Sequence, residues 1–271
     1  MIVAKKEFGQ NFLKDEVVLN KIIQAIPKDD KAIVEIGAGL GDLTQKLLDF
    51  SKNRVISYEI DSDLIPNLES KFKKYQMSGK FELINCDVAK VWQNSSLYSQ
   101  DYYLVANLPY YIATNLILKA IDDPNCRVII VMVQKEVAKK FVAKSRDKEF
   151  GSLSILANIA AKSSLLFDVP KESFVPEPKV TSSVIKIVKS SDYRGAIDLF
   201  KDDREYLDFK NFLALAFVAP RKRVLKNLAT RFDKKLLEEL FVELNLKDNL
   251  RAHELEITSF LEIYRRIKVK R

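Results

Sequence analysis

The chain contains few of the residue types that build disulfide-rich, metal-binding or membrane-spanning proteins. Its 271 residues include only two cysteines, Cys86 and Cys126, which are too few for a disulfide framework and form no C-x-x-C pair. We therefore expect two reduced, buried thiols and no metal site. No run of about 18 uncharged apolar residues is present to cross a membrane, and the residues after Met1 lack the apolar core of a signal peptide. These absences favour a cytoplasmic protein without a membrane anchor.

Charge, by contrast, is abundant, and its sign is uneven along the chain. The formal net charge is +8, from 45 basic and 37 acidic residues. Basic side chains outnumber acidic ones most clearly in three segments: 135–148, 221–235 and 265–271. A basic surface suits a polyanionic partner such as nucleic acid, but each segment could equally be the solvated face of a helix. Charge alone leaves both interpretations open.

Short β-rich runs alternate with amphipathic stretches over the first two thirds of the chain. Five runs have the composition of strands: Ala32–Ile36, Arg54–Tyr58, Phe81–Asn85, Tyr102–Ala106 and Arg127–Val133. Three stretches between them have the apolar spacing of helices: Asp42–Phe50, Ser62–Tyr75 and Ile112–Ile121. The last strand run is almost entirely apolar, as in a strand buried on both faces. This alternation predicts a parallel sheet with helices on both faces.

The pattern then changes. Two further strand-like runs, Leu165–Val169 and Ser183–Val188, are joined by a proline-rich connection that is too short for a crossover helix. We therefore expect them to be antiparallel neighbours at one edge of the sheet. Residues 190–205 resemble a polar linker, and from Asp208 onward the spacing predicts about four short helices. The sequence thus predicts an α/β domain and a small all-α domain, divided as 1–190 and 191–271.

Glycine is scarce, yet three of the seven glycines lie in Gly37-Ala38-Gly39-Leu40-Gly41, between a predicted strand and a predicted helix. Such a loop lets a ligand lie against bare backbone, although turns without a ligand also give such strings. Glu59 ends the second strand, where nucleoside-binding sheets place the acid that binds ribose hydroxyls. Asp87 ends the third strand and could meet the amine of an adenine or cap the following helix. Together the three elements predict a bound adenosine group.

The form of the glycine loop discriminates between two adenosine cofactors. NAD-binding loops have the form G-x-G-x-x-G, but here Gly41 is followed by Asp42 and Leu43. The string from Glu35 to Gly41 instead has the form E-x-G-x-G-x-G, which resembles that of methyltransferases, and a late antiparallel strand also suits them better. We therefore predict S-adenosylmethionine as cofactor and a Rossmann-like class I methyltransferase sheet.

The string Asn107-Leu108-Pro109-Tyr110 directly follows the fourth strand, beside the predicted cofactor crevice. Asn107 offers a side-chain carbonyl, and Leu108 offers a backbone carbonyl held by the fixed φ of Pro109. Two acceptors aimed at an exocyclic NH2 would draw its hydrogens out of the ring plane and localise the nitrogen lone pair for attack on a sulfonium methyl. Tyr110 would stack on the base, which is worth ~1–3 kcal/mol. At this position we favour the catalytic interpretation over a turn packed by an aromatic ring.

A second aromatic candidate, Phe174, precedes a proline-stiffened loop that runs to Ser183. Its ring could contact the other face of a flipped base. Because the chain has 16 phenylalanines, however, spacing alone favours a position in the core for this ring.

Taken together, these motifs resemble the ribosomal RNA adenine N6,N6-dimethyltransferases over nearly the whole chain. The segment Gly9-Gln10-Asn11-Phe12-Leu13 matches the family's N-terminal G-Q-N-F-L string. The glycine loop, Glu59-Ile60-Asp61, Asp87, N-L-P-Y and the segment from Phe174 to Val184 follow in the family's order. Towards the C-terminus, Arg251 to Leu255 with Phe260-Leu261 resembles the family's helix motif. The combination of G-Q-N-F-L, N-L-P-Y and F-x-P-x-P-K-V is highly specific.

The resemblance implies a role for each matching residue. The S-adenosylmethionine contacts would be Gln10, Asn11, Leu13, Gly37, Gly39, Glu59, Ile60, Asp87, Val88 and Asn107. Within this set, Gly37 would lie at the methionine part, Glu59 at the ribose and Asp87 at the adenine. The residues at the target base would be Asn107, Leu108, Pro109, Tyr110 and Phe174. Both aromatic rings of this second set would stack on the target adenine.

The resemblance also implies a substrate. Housekeeping members of the family methylate two adjacent adenosines in a hairpin loop near the 3′ end of small-subunit rRNA, during small-subunit biogenesis. A close relative instead methylates large-subunit rRNA and confers macrolide resistance. The chain length and the Arg251–Tyr264 motif favour the housekeeping branch, with small-subunit rRNA or the assembling 30S subunit as partner of a monomer. Because Ala219-Pro220-Arg221-Lys222-Arg223 departs from the family's Gln-Arg-Arg-Lys-Thr-like string, we assign no base specificity there.

Two other functions fit part of the sequence. A small-molecule methyltransferase would explain the cofactor loop but not N-L-P-Y or the basic helical region. A non-catalytic RNA-binding assembly factor would explain the charge, but the intact Asn107 and Tyr110 argue against a loss of catalysis. No general base is evident, and none is needed, since the methylated amine is acidic enough to release its proton to water. The only histidine, His253, lies in the helical region, where we expect a structural or surface role.

Overall fold

The computed structural model describes residues 4–93, 96–191 and 196–269. Its strands are β1 (Phe12–Leu13), β2 (Ala32–Ile36), β3 (Val55–Glu59), β4 (Phe81–Asn85), β5 (Tyr102–Asn107), β6 (Cys126–Gln134), β7 (Ala161–Val169), β8 (Phe174–Val175) and β9 (Ser182–Lys189). Its α-helices are α1 (Glu16–Ala25), α2 (Asp42–Phe50), α3 (Ile65–Met77), α4 (Val88–Val91), α5 (Ala113–Asp122), α6 (Lys135–Val142), α7 (Ser152–Asn158), α8 (Asp203–Ala216), α9 (Val224–Leu228), α10 (Lys234–Glu243) and α11 (Ile257–Val269).

The chain forms two compact units. They comprise Met1–Ala138 with Ser163–Gly195, and Lys139–Lys162 with Ala196–Arg271. The last of the three breaks lies close to the predicted division after residue 190, but residues 139–162, which the prediction places in the first domain, group with the helical unit. There Phe150 contacts Phe217 edge-on, with ring centroids 6.2 Å apart, and the Ser145 hydroxyl donates to the Glu256 carboxylate at 2.7 Å. Contacts between residues so distant in sequence leave no signal in local spacing.

The first unit is built around a seven-stranded sheet with the order β4-β3-β2-β5-β6-β9-β7. The strands from β4 to β6 are parallel, and β9 is antiparallel to β6. The Ser183 hydroxyl donates to Asp168 and the Ser164 hydroxyl to the carbonyl of Lys186, so β7 and β9 also run in opposite directions. The predicted α/β class is therefore confirmed: a mostly parallel, Rossmann-like sheet with an antiparallel strand near one edge, and a helical second unit. The outermost strand at that edge is β7.

The central strands form where apolar residues are dense enough to be buried on both faces. Every residue of β2 and β3 is buried, as expected at the centre of a sheet covered by helices. The following helix α2 begins directly after Gly41 and buries Leu43, Leu47 and Leu48. At Gly41, where φ is 79°, a Cβ atom would lie 2.7 Å from the ring of Phe72. Only glycine allows the loop to approach α3 so closely.

The carboxyl ends of the parallel strands bring the predicted functional residues to one edge of the sheet. Strand β2 ends at Ile36, β3 at Glu59 and β5 at Asn107, and these strands are neighbours. Ligands of open α/β sheets bind outside this edge. The sheet therefore places the glycine loop, Glu59 and Asn107 where a ligand is expected.

A two-stranded sheet fastens the N-terminal segment to the segment before the proline-rich loop. Strand β1 is antiparallel to β8, with Leu13 opposite Phe174. The Asp15 carboxylate caps α1 and also accepts a hydrogen bond from the Ser173 hydroxyl at 2.8 Å. The backbone N–H of Lys14 donates to the carbonyl of Ser173 at 2.8 Å. Two short strands and these bonds thus hold residues 12–15 against the main body of the unit.

Both cysteines are free thiols. Cys126 is buried, as expected, whereas Cys86 is only partly buried, because it lies at the open end of β4. Burial raises the pKa of the Cys126 thiol to about 12. Among the described residues, no helix is long and apolar enough to span a bilayer, and no group of three His, Cys, Asp or Glu side chains could hold a metal ion.

Candidate active site

A cleft, partly open to solvent, lies at the carboxyl edge of the sheet. The cleft is lined by side chains and backbone from four segments: 8–13, 37–43, 59–60 and 107–110. The predicted site residues that line it are Gln10, Asn11, Leu13, Gly37, Gly39, Glu59, Ile60, Asn107, Leu108, Pro109 and Tyr110. The predicted site residues that do not line it are Asp87, Val88 and Phe174.

The glycine loop forms one wall of the cleft with its backbone. Gly37 and Gly39 have φ values of 81° and 56°, in the left-handed region that favours glycine. A Cβ atom at Gly39 would lie 3.1 Å from the ring of Phe12, so the loop packs closely against the N-terminal segment. The absence of side chains at these positions leaves peptide groups available to a ligand.

Glu59 lines the cleft and is buried, with 4% of the residue exposed. One oxygen accepts a hydrogen bond from the N–H of Gly39 and the other from the N–H of Asp61, both at 2.9 Å. Burial raises the pKa of Glu59, and the two backbone hydrogen bonds oppose this effect. Each carboxylate oxygen has two lone-pair sites. Each carboxylate oxygen of Glu59 therefore keeps one lone-pair site that can accept a hydrogen bond from a ligand hydroxyl.

Two oxygens of the N-L-P-Y segment lie at the cleft without a partner in the described chain. The Asn107 amide donates through Nδ2 to the carbonyl of Asn11 at 3.0 Å, which fixes the orientation of the amide. Within residues 4–93, 96–191 and 196–269, no donor reaches Oδ1 of Asn107 or the carbonyl oxygen of Leu108. The N–H of Leu108 donates to the carbonyl of Met132 at 3.2 Å, which holds the segment against β6. The structure thus provides two hydrogen-bond acceptors at one site.

Tyr110 lines the cleft beside these acceptors. Its hydroxyl lies 2.6 Å from the hydroxyl of Ser182, at the start of β9. Burial raises the pKa of Tyr110, and the hydrogen bond to Ser182 opposes this effect. A ring that is anchored at its far end is suited to support a flat group in the cleft.

Gln10 and Asp61 form a hydrogen-bond network that sequence reasoning did not predict. Nε2 of Gln10 donates to Asp61 at 2.8 Å, while its Oε1 accepts from the N–H of Lys5 at 2.7 Å. Although Gln10 lines the cleft, its amide is therefore occupied within the protein. The sequence feature that could have indicated this network is Asp61 itself, the acid two residues after Glu59 in the E-I-D string.

Three predicted residues stand apart from the cleft. Asp87 caps α4 by accepting a hydrogen bond from the N–H of Ala89 at 3.0 Å. Of the two interpretations given for Asp87 above, an adenine contact and a helix cap, this is the second. Val88 is the first residue of that helix and is buried. Phe174 is 1% exposed, because β8 pairs with β1 and the ring packs into the core. In this structure the ring packs into the core, and its predicted stacking on a base stays a prediction.

Glu35 lies beneath the glycine loop and is completely buried. Its Oε2 accepts from the hydroxyls of Thr44 at 2.7 Å and Ser57 at 2.5 Å, which ties β2 to α2 and β3. Its Oε1 has no hydrogen-bond partner in the described part of the chain. Burial raises the pKa of Glu35 to about 7, and the two hydroxyl hydrogen bonds oppose this effect.

This raised pKa predicts a stability change with pH. The unfolded chain releases the Glu35 proton near the ordinary glutamate pKa of 4.5, but the folded chain holds it until about 7. The contribution of Glu35 to the free energy of unfolding therefore falls as pH rises between these values, by ~3 kcal/mol, and is then constant. Glu35→Gln cannot titrate, so its stability relative to the wild type should rise by that amount from pH 4.5 to pH 8. Urea unfolding at both pH values measures this, with the exposed Glu69→Gln as control; parallel pH profiles for wild type and Glu35→Gln would contradict it.

Comparison with known proteins identifies the family. The sequence model of the family "Ribosomal RNA adenine dimethylase" matches residues 1–268. Similar proteins named "Ribosomal RNA small subunit methyltransferase A" include that of Campylobacter hominis, 53% identical over 100% of this chain and 98% of that protein. The protein of that name from Aliarcobacter butzleri is 48% identical over 98% of this chain and 97% of that protein.

Solved structures share the fold along nearly the full length. A dimethyladenosine transferase from Plasmodium falciparum is 27% identical, with a TM-score of 0.76 over 93% of this chain and 95% of that chain. The 23S rRNA methyltransferase ErmE is 19% identical, with a TM-score of 0.71 over 95% of this chain and 100% of that chain, which shows a common fold. With a family model that matches almost every residue and relatives aligned from end to end, the chain belongs to the ribosomal RNA adenine dimethylase family.

Proposed function

We propose that the chain transfers methyl groups from S-adenosylmethionine to N6 of two adjacent adenosines in the 3′-terminal hairpin of small-subunit rRNA, as a cytoplasmic monomer. Family membership supports the reaction, and the names of the relatives favour the small subunit over the large one. The observation that carries the proposal is the pair of acceptors, Asn107 Oδ1 and the Leu108 carbonyl, at the edge of the cleft. An exocyclic amine has two hydrogens for two such acceptors.

The residues of the cleft fit S-adenosylmethionine. Glu59 has a free acceptor site on each oxygen for the two ribose hydroxyls, and the bare backbone at Gly37 and Gly39 suits the methionine part. Ile60 and Pro109 provide apolar walls for the adenine ring. Bound there, the cofactor supplies a methyl group on a positively charged sulfur.

Asp87 keeps a place in this proposal although it caps α4. Only one of its oxygens accepts the cap hydrogen bond, and Lys90 lies 3.9 Å from the other. The second oxygen could therefore accept a hydrogen bond from the amine of the cofactor's adenine while the cap stays in place. Val88 would then contribute only through its position in the same helical turn.

The chemistry at the target follows from Asn107 and Leu108. Their oxygens would hold both hydrogens of the N6 amine out of the plane of the base, which localises the lone pair on the nitrogen. The donor bond from Asn107 to Asn11 keeps Oδ1 in the accepting orientation throughout. Tyr110 would stack on the flipped base. Once methylated, the nitrogen carries a positive charge, and its proton passes to water.

A groove in the helical unit is the candidate RNA-binding surface. Its charged lining is mostly basic: Arg221, Lys222, Arg223, Lys226, Lys234 and Arg251, with Glu238 and Asp248. Asn227 is buried and donates to the carbonyls of Ala216 and Ala219 at 2.8 and 3.2 Å. These bonds fix the turn that presents the first three basic residues to solvent. The segment Ala219–Arg223 differs from the family's Gln-Arg-Arg-Lys-Thr-like string, but its three basic side chains are exposed.

Removal of this charge should change how RNA binding depends on salt. With Arg221, Lys222 and Arg223 all replaced by Ala, the log–log slope of affinity against salt should flatten by ~0.7–0.9 for each phosphate that is no longer neutralised. Since Arg223 also pairs with Asp248 at 3.4 Å, its share should be the smallest. Fluorescence anisotropy with the rRNA hairpin measures the slope. The control is the triple variant with alanine at Lys52, Lys73 and Lys74, which loses the same charge at exposed positions elsewhere. Equal salt slopes for the two triple variants would exclude this groove as the RNA-binding surface.

The proposed reaction is tested with tritium-labelled S-adenosylmethionine. We expect label in under-methylated small subunits, and mass spectrometry of the 3′-terminal fragment should place it on two adjacent adenosines. Label in large-subunit rRNA would instead favour the resistance-type activity. Tight rRNA binding without any transfer would favour an assembly factor, and label in small molecules alone would favour a small-molecule methyltransferase. Light scattering of the purified protein tests whether it is a monomer in solution.

A further inference from the structure

The N-terminal segment, defined as residues 4–14, is held in place by a few specific bonds. At one end, Lys5 and Gln10 bond to Asp61, at 2.6 and 2.8 Å. In its middle, the carbonyl of Asn11 accepts from the amide of Asn107 at 3.0 Å. The segment supplies one wall of the cleft. Its position therefore decides both the shape of the cleft and the orientation of Asn107.

Asp61 is the buried acceptor at the first of these anchors. Its side chain is 1% exposed and accepts from Lys5 Nζ, Gln10 Nε2 and the N–H of Asp63. Burial alone would raise its pKa, but the hydrogen bonds from Lys5 and Gln10 outweigh burial and lower it. A buried carboxylate depends on such partners, because an unpaired one is very costly. Loss of these donors would consequently leave a buried charge unpaired, which does not hold for an exposed ion pair.

Asp63 shows the contrast. Lys5 Nζ lies 2.7 Å from Asp63, almost the same distance as from Asp61, but the Asp63 side chain is 73% exposed. Exposed ion pairs contribute little to stability. The ammonium group of Lys5 thus pairs with two carboxylates, those of Asp61 and Asp63, of which only the Asp61 carboxylate is buried.

Asp61 also contacts the predicted ribose acceptor. Its backbone N–H donates to Glu59 Oε1 at 2.9 Å, while its side chain holds the N-terminal segment. Asp61 therefore contacts Glu59 directly and is connected to Asn107 through the N-terminal segment, whose Asn11 carbonyl accepts from the Asn107 amide. We propose that Asp61 is a positioning residue that couples occupancy of the cofactor cleft to the orientation of Asn107; this inference rests on the proposed function.

The coupling predicts two effects of Asp61→Asn. The amide keeps the size of the side chain but turns an NH2 group towards the donors of Lys5 or Gln10, so residues 5–11, which precede the β1–β8 pairing, should loosen. S-adenosylmethionine should then bind about tenfold or more weakly, because a wall of the cleft is lost. The single-turnover rate at saturating cofactor should also fall, because Asn107 loses its partner. RNA affinity should not change, since phosphate contacts supply most of it.

Hydrogen exchange provides a readout that a general loss of stability would not give. In the wild type, bound S-adenosylmethionine should slow exchange of the amides in residues 8–13 as well as in the glycine loop. In Asp61→Asn, saturating cofactor should still protect the glycine loop but no longer residues 8–11, whereas residues 12 and 13 stay paired with β8. Lys5→Met, which removes only the cation, should act in the same direction and be non-additive with Asp61→Asn.

Asp63→Asn is the matched control and should leave cofactor affinity, rate and protection near wild-type values. The proposal is overturned if Asp61→Asn binds cofactor as the wild type does, if it retains protection of residues 8–11, or if it equals Asp63→Asn. A wild-type protein that binds no S-adenosylmethionine would instead overturn the proposed function. The two failures are therefore distinguishable in one set of measurements.

Discussion

Replacement of Asn107 by alanine is expected to lower the single-turnover rate of methyl transfer by ~10²–10³-fold, the usual effect of removing one preorganised polar contact to the reacting group. The effect should be this large because Oδ1 of Asn107 is one of only two acceptors proposed for the amine. Its orientation is already fixed by the bond from Nδ2 to Asn11. The measurement uses under-methylated small subunits with saturating cofactor.

Two controls separate chemistry from binding in this experiment. RNA affinity of Asn107→Ala should match the wild type, because phosphate contacts lie elsewhere. Asn115→Ala, at an exposed position of α5, should react at the wild-type rate. Tyr110→Phe keeps the ring and loses only the bond to Ser182, so it should retain most activity. A wild-type rate for Asn107→Ala would refute the proposed mechanism.

Glu59→Gln is expected to weaken S-adenosylmethionine binding by roughly 10- to 150-fold. A hydrogen bond to a charged group contributes ~1.5–3 kcal/mol, which corresponds to this range of dissociation constants. Glutamine keeps one acceptor oxygen, but its NH2 group would face a backbone donor, from Gly39 or Asp61. Fewer lone pairs would then remain for the ribose.

Isothermal titration calorimetry measures this loss directly. Glu82→Gln, on the neighbouring strand β4 and half-exposed in a pair with Arg54, removes the same charge and should bind cofactor normally. The melting temperature of Glu59→Gln should be measured beside its affinity, since two buried N–H groups depend on this side chain. Unchanged affinity in a folded variant would remove Glu59 from the cofactor site.

The sheet could be predicted from the sequence because its strands carry their signal locally. The strand Ala32–Ile36, the strand Phe81–Asn85 and the helix Asp42–Phe50 have the predicted bounds. The helix predicted from Ser62 begins at Ile65 instead, where Pro66 occupies the first turn. Proline is favoured in that turn, since its missing N–H has no partner there in any case.

The details of the site depend on contacts that local spacing cannot show. The pairing of Leu13 with Phe174 buries the aromatic ring that motif order assigned to the base. Asp87 caps α4, and its contact with the adenine of a cofactor stays a prediction that the cap does not exclude. The role of Gln10 became visible only with its partner Asp61, 51 residues away. Motifs thus predicted most of the residues that line the cleft, whereas tertiary packing decides which of their atoms are free.

The attachment of the N-terminal segment has a consequence for the order in which the protein forms. Asp15 bonds to Ser173, 158 residues later, and Asn11 bonds to Asn107, 96 residues later. Contacts of such long range form slowly, because a large loop must close before they give any stabilisation. The wall of the cleft that residues 8–13 supply is consequently expected to be complete only after the chain as far as β8 has folded.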